Sequence, residues 1–491
     1  HTECRRQRQM CIRDSSCGVG FIASRGIPRT HGMTLKILEC LSNLDHRGAK
    51  FADGTGDGAG VLTEIPFELI EAELVERGIT LGEKEKLGLI SCFFDPKNIT
   101  ESIELIDNKL EEFDIKLLYW RKVPTDKEIL GTMAKNSKPG IYQAVICSTK
   151  EYEYSFEKYL YLFRKSLETD LEKNEFLNIH INSCSSKTVV YKGLFTATQT
   201  ADFYWDLRNP LYKTRYGVFH QRFSTNTSST WDKAQPFRML AHNGEINTIR
   251  ANYSWMKARE VDASSNIWKD DIERLKPFIN ESLSDSGQLD NAIELLVQSG
   301  RKLAHAQEML IPSAWENNPR FSKDQQSYYQ YHAFLSEPWD GPAAIVATDG
   351  DDIIAGLDRS GLRPLRWMVS DRYILAASEV GICPSVEAGA YKTAQLEPGQ
   401  TIRYRIKNDE LLDEQEVIEK LAEKNPYKEW VNTKPLVADT EFSDKPDEIE
   451  LDLLSEYFQY TPEEERLILL PMIQGDIPTG SMGNDLSLIH I

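Results

Sequence analysis

The chain has 491 residues, of which 41% are hydrophobic and 27% are charged, and its formal net charge at pH 7 is −19. This charge argues against nucleic acid or an anionic membrane as the main partner, because both bind clustered Lys and Arg, and no segment reaches the ~18 consecutive apolar residues of a membrane span. The eight cysteines are scattered without a CxxC pair, which favours free thiols in the cytoplasm over a disulfide framework.

Residues 1–16 are polar and basic and contain no apolar stretch that resembles a secretory signal. We interpret them as a leader, a propeptide or foreign sequence, and we expect the folded part to begin at Cys17. From there, patterns typical of strands and helices alternate along the chain.

The predicted elements follow one another in this order. The strands are Cys17–Ser24, Gly60–Ile65, Leu87–Phe94, Ile141–Ser148, Tyr216–Phe223, Met239–His242, Ala343–Ala347, Asp352–Leu357, Leu365–Val369 and Tyr373–Ala377. The helices are Met33–Leu44, Tyr152–Thr169 and Gly287–Ser299. This mixture indicates an α/β (α+β) layered fold with largely antiparallel sheets.

The composition changes after Tyr404. Residues 406–450 are rich in Asp, Glu and Lys and are predicted to form an acidic connector with solvated helical faces. Apolar periodicity resumes from Leu451, so we interpret residues 451–491 as the incomplete start of a second domain.

Cys17 is the candidate nucleophile of the sequence. It stands at the head of an apolar strand punctuated by Gly18 and Gly20. If the chain were cut before Cys17, its own α-amino group, with a pKa of about 7.7–8, could serve as the base for the thiol. The alternative is a buried cysteine that only packs.

Four clusters are richer in polar residues and glycine than packing requires. They are His46–Ala49 with Asp53–Gly60, His220–Thr227, His242–Thr248, and Ser284–Asp290. Each also has a purely structural reading, as a turn or a helix cap. The histidines lack the spacing of a metal site, so no metal is predicted.

Taken together, the clusters supply every group that hydrolysis of an amide needs. The Asn243 side chain and the Gly244 N–H would form a two-donor oxyanion hole. Arg222 offers a planar fork for a carboxylate, and Asp285 offers an acceptor for an ammonium group. An amide that is also an α-amino acid is glutamine or asparagine.

Seven motifs together resemble the N-terminal amidotransferase domain of glutamate synthase large subunits. They are Cys17–Phe21, His46–Ala49, Asp57–Gly60, Gly217–Thr248, Ser284–Asp290, Glu337–Ala343 and Leu357–Pro364. This resemblance implies a class II, N-terminal nucleophile hydrolase with a four-layer αββα sandwich over residues 17–405. The segment Gly480–Asp485 resembles the start of the central domain of the same enzymes.

The resemblance also implies residue roles. Cys17 matches the nucleophile, exposed as the first residue after removal of a short propeptide. The other matched positions are Asn243 and Gly244 for the oxyanion hole, Arg222 and Asp285 for the α-carboxylate and α-amino group of glutamine, and Arg47, Ser224 and Thr225 for the lining of the pocket.

The implied activity is the glutaminase half of glutamate synthase. L-glutamine would be hydrolysed to glutamate and ammonia, and the ammonia would pass to a synthase domain of the same chain, outside these residues, that reductively aminates 2-oxoglutarate. FMN and an iron–sulfur cluster are expected in that missing part and no cofactor in this one, with an electron-donor subunit or ferredoxin as a further partner. Two alternatives stay open: another class II amidotransferase, or an inactive regulatory or assembly module if residues 1–16 stay attached.

Overall fold

The computed structural model describes residues 17–82, 85–172, 177–222, 229–432, 461–462 and 465–474. The chain divides into two compact units, His1–Asn425 and Pro426–Ile491.

The described part of the first unit contains strands and helices throughout its length. The strands are β1 (Gly18–Ser24), β2 (Ala59–Glu64), β3 (Leu87–Phe94), β4 (Ile115–Lys122), β5 (Gly140–Ser148), β6 (Ile179–Ser185), β7 (Thr188–Gly193), β8 (Tyr216–Gln221), β9 (Leu240–Gly244), β10 (Ala343–Thr348), β11 (Asp352–Leu357), β12 (Arg366–Ser370), β13 (Tyr373–Ala377), β14 (Ala390–Gln395), β15 (Thr401–Arg405) and β16 (Glu410–Leu412). The helices are α1 (His31–Ser42), α2 (Phe67–Glu76), α3 (Ile99–Glu112), α4 (Thr132–Asn136), α5 (Phe156–Glu172), α6 (Thr200–Phe203), α7 (Ile249–Glu260), α8 (Asp285–Gln298), α9 (Leu303–Leu310), α10 (Lys323–Ala333), α11 (Pro384–Glu387) and α12 (Glu414–Ala422).

Two antiparallel sheets form the centre of this unit. The first has seven strands in the order β14-β12-β13-β1-β8-β2-β7, and the second has five in the order β16-β15-β11-β10-β9. The strand β1 pairs with β13 on one side and with β8 on the other. The strand that follows Cys17 is therefore central in its sheet.

Alternation along β1 divides its side chains between two hydrophobic cores. Val19 and Phe21 pack with Val346 of β10 in a core between the two sheets. Ile22 faces the other way and packs in a second core with Ile37 of α1. On the far side of the second sheet, α8 packs on β9 and α9 on β11. The layers run helix, sheet, sheet, helix, which confirms the predicted αββα sandwich.

A third sheet is inserted in the chain between β2 and β7, with the strand order β4-β5-β3-β6. The sequence predicted its two central strands, β3 and β5, which are apolar. It missed the edge strands β4 and β6, because their patterns are mixed. β4 alternates poorly between buried and half-exposed positions, and β6 contains polar residues such as His180 and Asn182.

Two predicted helices begin about one half-turn earlier than expected because of their caps. The Thr30 hydroxyl accepts from the Met33 N–H, so α1 begins at His31. The Ser284 hydroxyl accepts from the Gly287 N–H, so α8 begins at Asp285. Hydroxyl N-caps satisfy N–H groups that have no partner within the helix.

Part of the predicted acidic connector is folded into the first unit. β16 pairs with β15, and α12 begins at a capping box made by Asp413 and Glu416. Val417, Ile418 and Leu421 are buried in α12, so its acidic residues are the solvated face of an amphipathic helix. The structure thus differs from the predicted boundary at residue 405, since the compact unit reaches Asn425.

In the second unit the structure describes short segments only. Helix α13 spans Tyr427–Asn432, and a π-helical turn at Glu465–Leu469 precedes α14 at Leu470–Ile473. The motif Gly480–Asp485 lies outside the described residues, so the start of a central domain stays a prediction. Within the described ranges, no helix has the length and apolar character needed to cross a membrane.

Candidate active site

The Cys17 thiol lies at the start of the central strand of the first sheet. Cys17 is partly exposed, whereas every residue of β1 after it is buried. Gly18 faces Gln221 of β8, and a Cβ atom on Gly20 would come within 2.6 Å of the Ala376 carbonyl oxygen. The neighbouring backbone thus requires glycine inside this strand, and the thiol lies where the strand leaves the core.

Burial and four charged neighbours determine the acidity of this thiol. Although the residue keeps some exposed surface, the protein atoms packed around its sulfur raise the pKa of Cys17 to about 11. The neighbouring charges are Arg222 and Arg363, which lower the pKa, and Asp57 and Asp285, which raise it. A thiol with this pKa is protonated at neutral pH, so its use as a nucleophile requires a base.

Asn243 and Gly244 end strand β9. Asn243 is 1% exposed, and its Oδ1 has no hydrogen-bond partner among the described residues. Gly244 has a φ of +144°, and a Cβ atom there would lie 1.8 Å from the Pro342 carbonyl oxygen. Both the dihedral angle and the close approach therefore require glycine at position 244.

Arg222 directly follows strand β8 and is held by the loop that precedes β2. Its φ is +87°, and its N–H donates to the Gly58 carbonyl oxygen at 2.8 Å. Its Nε lies 3.7 Å from Asp57 Oδ2, and Gln221 Nε2 donates to Asp57 Oδ1 at 3.4 Å. Asp57 thus orients the guanidinium that the sequence assigned to a carboxylate.

Asp285 is the first residue of α8, where the helix dipole favours a negative charge. Its Oδ2 accepts from the Ile246 N–H at 2.8 Å. Its Oδ1 accepts from the N–H and hydroxyl of Ser286 at 2.7 and 3.1 Å. A carboxylate offers about four acceptor positions, so one remains for an ammonium group. The bond to Ile246 ties α8 to the segment after Gly244.

Arg47 lies in the 3-10 turn Asp45–Arg47 and forms an ion pair with Glu379. His46 Nε2 lies 2.6 Å from the other oxygen of the same carboxylate. Burial lowers the pKa of Arg47, and the negative charge of a Cys17 thiolate opposes that decrease. Arg47 is therefore a further cation beside the thiol.

Comparison with known proteins places these residues in a family. The sequence model of one protein family, the class-II glutamine amidotransferases, matches residues 17–430. The chain belongs to this family. Its matched segment begins at Cys17 and extends past β16 and α12.

The amidotransferase is also similar to glutamate synthases, which confirms the resemblance seen in the motifs. It is 40% identical over 482 residues to the large chain of the NADPH glutamate synthase of Bacillus subtilis (strain 168), covering 96% of this chain and 32% of that one. It is 37% identical over 489 residues to the ferredoxin-dependent glutamate synthase of Pyropia yezoensis, with coverages of 96% and 32%. The chain thus spans about a third of the length of these relatives.

The structure brings most of the predicted site residues of the amidotransferase together. The charges of Arg222, Asp285 and Arg47 all act at Cys17. Asn243 and Gly244 lie on β9, which contacts β1 across the core between the sheets. Ser224 and Thr225 fall outside the described residues, so their roles stay predictions.

Sequence reasoning missed three charged residues of this site. Arg363 and Asp57 lie in motifs that the sequence singled out without assigning them a role. Glu379 follows β13 and belongs to no motif, and only the ion pair with Arg47 reveals its place. A signal existed for the first two residues, because each is a charged residue within a motif of the resemblance.

Two histidines of the polar clusters, His220 and His242, form hydrogen bonds inside the first unit. His220 Nε2 donates to the His242 carbonyl oxygen at 3.1 Å, and His242 Nδ1 is hydrogen bonded to Ser286 Oγ at 2.6 Å. Burial lowers the pKa of His220 to about 3 and that of His242 to about 4. Both are neutral at pH 7, and they connect β8, β9 and α8 behind the oxyanion candidates.

Proposed function

We propose that this chain hydrolyses L-glutamine to glutamate and ammonia, with Cys17 as the nucleophile. The observation that carries the proposal is the meeting of one cation and one carboxylate, Arg222 and Asp285, at the Cys17 thiol. Together with membership of the class-II amidotransferases, this pair fits a substrate that is both an amide and an α-amino acid.

Substrate binding uses two groups that are already held in place. The α-carboxylate of glutamine pairs with the Arg222 guanidinium, which Asp57 orients. The α-ammonium group pairs with Asp285, whose carboxylate is fixed by Ile246 and Ser286. With both ends held, the side-chain amide is directed toward the thiol.

The reaction then proceeds through a thioester. The α-amine of Cys17, free once residues 1–16 are removed, takes the thiol proton, and the sulfur attacks the amide carbon. The Asn243 side-chain NH₂ and the Gly244 N–H stabilise the oxyanion. The proton returns to the leaving nitrogen, the C–N bond breaks and ammonia departs. Water, deprotonated by the same amine, cleaves the C–S bond and releases glutamate.

We propose further that the complete protein is a glutamate synthase. The synthase domain would follow the amidotransferase, beginning within residues 451–491, and would use the ammonia to aminate 2-oxoglutarate reductively. FMN and an iron–sulfur cluster would belong to that part. The names of similar proteins specify NADPH, ferredoxin or NADH, which supports a proposed electron donor of one of these classes. A cytoplasmic location fits the free cysteines of the described residues.

Replacing Cys17 tests the mechanism. Cys17→Ala is expected to abolish the release of glutamate and ammonia from glutamine, because no other group in the proposal forms the thioester. The matched control is Cys184→Ala, which removes a buried thiol that donates to the Leu160 carbonyl oxygen at 3.6 Å. This control should retain most of the turnover.

The measurements are glutamate release, intact mass and the circular dichroism spectrum of each protein. Retained turnover of glutamine by a folded Cys17→Ala protein would contradict the mechanism. A wild-type protein that keeps residues 1–16 and fails to hydrolyse glutamine would favour the inactive regulatory or assembly module. Comparison with asparagine as the substrate tests the length of side chain that the site accepts.

A further inference from the structure

Two motifs of the sequence, Glu337–Ala343 and Leu357–Pro364, have no role in the proposed hydrolysis. In the structure they lie against each other. The Ala343 N–H donates to Asp358 Oδ1 at 2.9 Å, and the Asp358 N–H donates to the Ala343 carbonyl oxygen at 3.0 Å. Arg359 forms an ion pair with Asp340. The two motifs are thus one connected unit, which we call the brace (residues 337–343 and 357–364).

The brace contacts the backbone of the oxyanion candidates. Ala343 is the register partner of Gly244. The Pro342 carbonyl oxygen accepts from the Glu245 N–H at 3.1 Å, and it fills the space where a Cβ atom of Gly244 would lie. On the other side, a Cβ atom on Gly341 would come within 1.9 Å of the Glu245 carbonyl oxygen. The position of Pro342 therefore determines the backbone at Gly244.

Arg363 holds this carbonyl group. Its Nε donates to the Pro342 carbonyl oxygen at 3.3 Å. Arg363 belongs to the connection that carries the chain from β11 of the second sheet to β12 of the first. It therefore ties the brace to the connection between the two sheets.

The charge of Arg363 also acts on the thiol. The charged groups around Cys17 are Arg47, Arg222, Arg363, Asp57 and Asp285. Arg47 is paired with Glu379, Arg222 lies beside Asp57, and Arg363 donates to the Pro342 carbonyl oxygen. The positive charge of Arg363 thus favours the thiolate form of Cys17.

We propose that Arg363 is a positioning residue of the glutaminase. It holds the Pro342 carbonyl group, and through it the Gly244 N–H, in the geometry that stabilises the oxyanion, and its charge favours the Cys17 thiolate. This inference rests on the proposed function, because it assumes attack by Cys17 on an amide.

The test compares Arg363→Met, Arg363→Lys and the control Arg366→Met in the processed protein. Arg366 is exposed on the next strand and bonds only Gln395 among the described side chains. Interactions made only in the transition state change kcat rather than KM. Loss of one oxyanion donor lowers kcat by about 10²–10³-fold, so we expect a decrease of about 10²-fold for Arg363→Met with KM within about threefold.

The second readout is the rate of alkylation of Cys17 by iodoacetamide as a function of pH. Arg363→Met should move the midpoint to higher pH, because a positive charge near the thiolate is lost. Arg363→Lys should keep the midpoint while lowering kcat, because an ammonium group preserves the charge and loses the fixed guanidinium geometry. A residue that served only the stability of the fold would not separate these two readouts.

Several outcomes would overturn the inference and leave the proposed function intact. One is wild-type kcat in Arg363→Met while Cys17→Ala is inactive. Another is a raised KM with unchanged kcat, which would assign Arg363 to substrate binding. A third is an unchanged alkylation midpoint in Arg363→Met. If Arg363→Met does not fold, Arg363→Lys decides the question: a normal kcat in this variant contradicts positioning by the guanidinium.

Discussion

At the Cys17 thiol, guanidinium groups and carboxylates act in opposite directions, and each carboxylate also holds another part of the site. Asp57 raises the pKa of the thiol and at the same time lies 3.7 Å from the Arg222 Nε. Its negative charge therefore opposes ionisation of the proposed nucleophile while it lies against the guanidinium that we propose binds the substrate. These two effects can be separated experimentally.

We predict that Asp57→Asn raises the KM for glutamine by about tenfold. The neutral amide loses the ion pair with Arg222 and orients it less firmly, and a tenfold change corresponds to about 1.4 kcal/mol. The midpoint of Cys17 alkylation should move to lower pH, because a negative charge near the thiolate is lost. Steady-state kinetics and an alkylation profile measure the two effects.

The control is Asp53→Asn, in the same loop. Asp53 is exposed and accepts from the Thr55 and Met133 N–H groups, away from the thiol. It should leave both the KM and the alkylation midpoint unchanged. An unaltered KM in Asp57→Asn would show that Arg222 does not depend on Asp57, and a midpoint that moved to higher pH would contradict the electrostatic argument.

The sequence pointed to the groups for which we propose direct roles on a substrate, and it pointed less well to the groups that hold them. Cys17, Asn243 and Asp285 each stand in a motif whose chemistry can be read locally, as a thiol, an amide or a carboxylate beside glycine or a cap. Glu379 and Arg363 act through partners far along the chain, Arg47 and Pro342. Such contacts depend on the pairing of distant strands, which local patterns do not specify.

At the scale of the elements, the sequence pattern identifies central strands more readily than edge strands. Strands β1, β3 and β5 are buried and apolar, so their pattern is strong. Strands β4 and β14 are edge strands of their sheets and present mixed or exposed side chains, so composition alone does not distinguish them from loops. The helix starts differ from prediction because a single hydroxyl cap determines each of them.

Helix α9 contains a carboxyl group whose ionisation opposes folding. Glu308 is 1% exposed, and the Tyr329 hydroxyl donates to its Oε2 at 2.9 Å. Burial raises the pKa of Glu308 from 4.5 to about 7. The folded protein thus binds this proton more tightly than the unfolded chain does. The stabilisation that comes from binding this proton is fully present below the pKa of 4.5 that applies to the unfolded chain. It is lost as the pH rises through the folded-state pKa of about 7.

We therefore predict that Glu308→Gln changes the free energy of unfolding more favourably at pH 8 than at pH 5. The shift of the pKa sets an upper limit of about 3 kcal/mol, and we expect about 1–2 kcal/mol, since water and the neighbouring hydroxyl group moderate the cost of ionisation. Urea unfolding of the wild type and the variant at both pH values measures the difference. Exposed Glu316→Gln is the control, and an equal effect of Glu308→Gln at pH 5 and pH 8 would contradict the prediction.

At the scale of the whole first unit, the site is assembled from both sheets. The first sheet contributes Cys17 before β1 and Arg222 after β8, and the second contributes Asn243 and Gly244 at the end of β9. Asp285 comes from the helix layer beyond the second sheet. Because these residues are distant in the chain, the site exists only when the sandwich is formed, whereas the inserted third sheet contributes none of the site residues that the structure describes.

The sandwich places the thiol but does not by itself supply its base. Among the described residues, the charged groups that act on the Cys17 thiol are arginines and carboxylates, and His220 and His242 are neutral and hydrogen bonded. A thiol whose pKa is about 11 has little thiolate at neutral pH. The α-amine of Cys17, with a pKa of about 7.7–8 when free, is the group that fits the task.

We predict that a protein beginning at Cys17 hydrolyses glutamine at least about 10²-fold faster than one with a single glycine left in front of it. That ratio is the lower end of what a positioned general base contributes. One glycine converts the α-amine into an amide with minimal added bulk, so the comparison isolates the base. The kcat/KM of the processed protein should rise with pH through the range in which the α-amine loses its proton. Equal melting temperatures would show that the fold is the same in both proteins, and equal glutaminase rates would exclude the α-amine as the base.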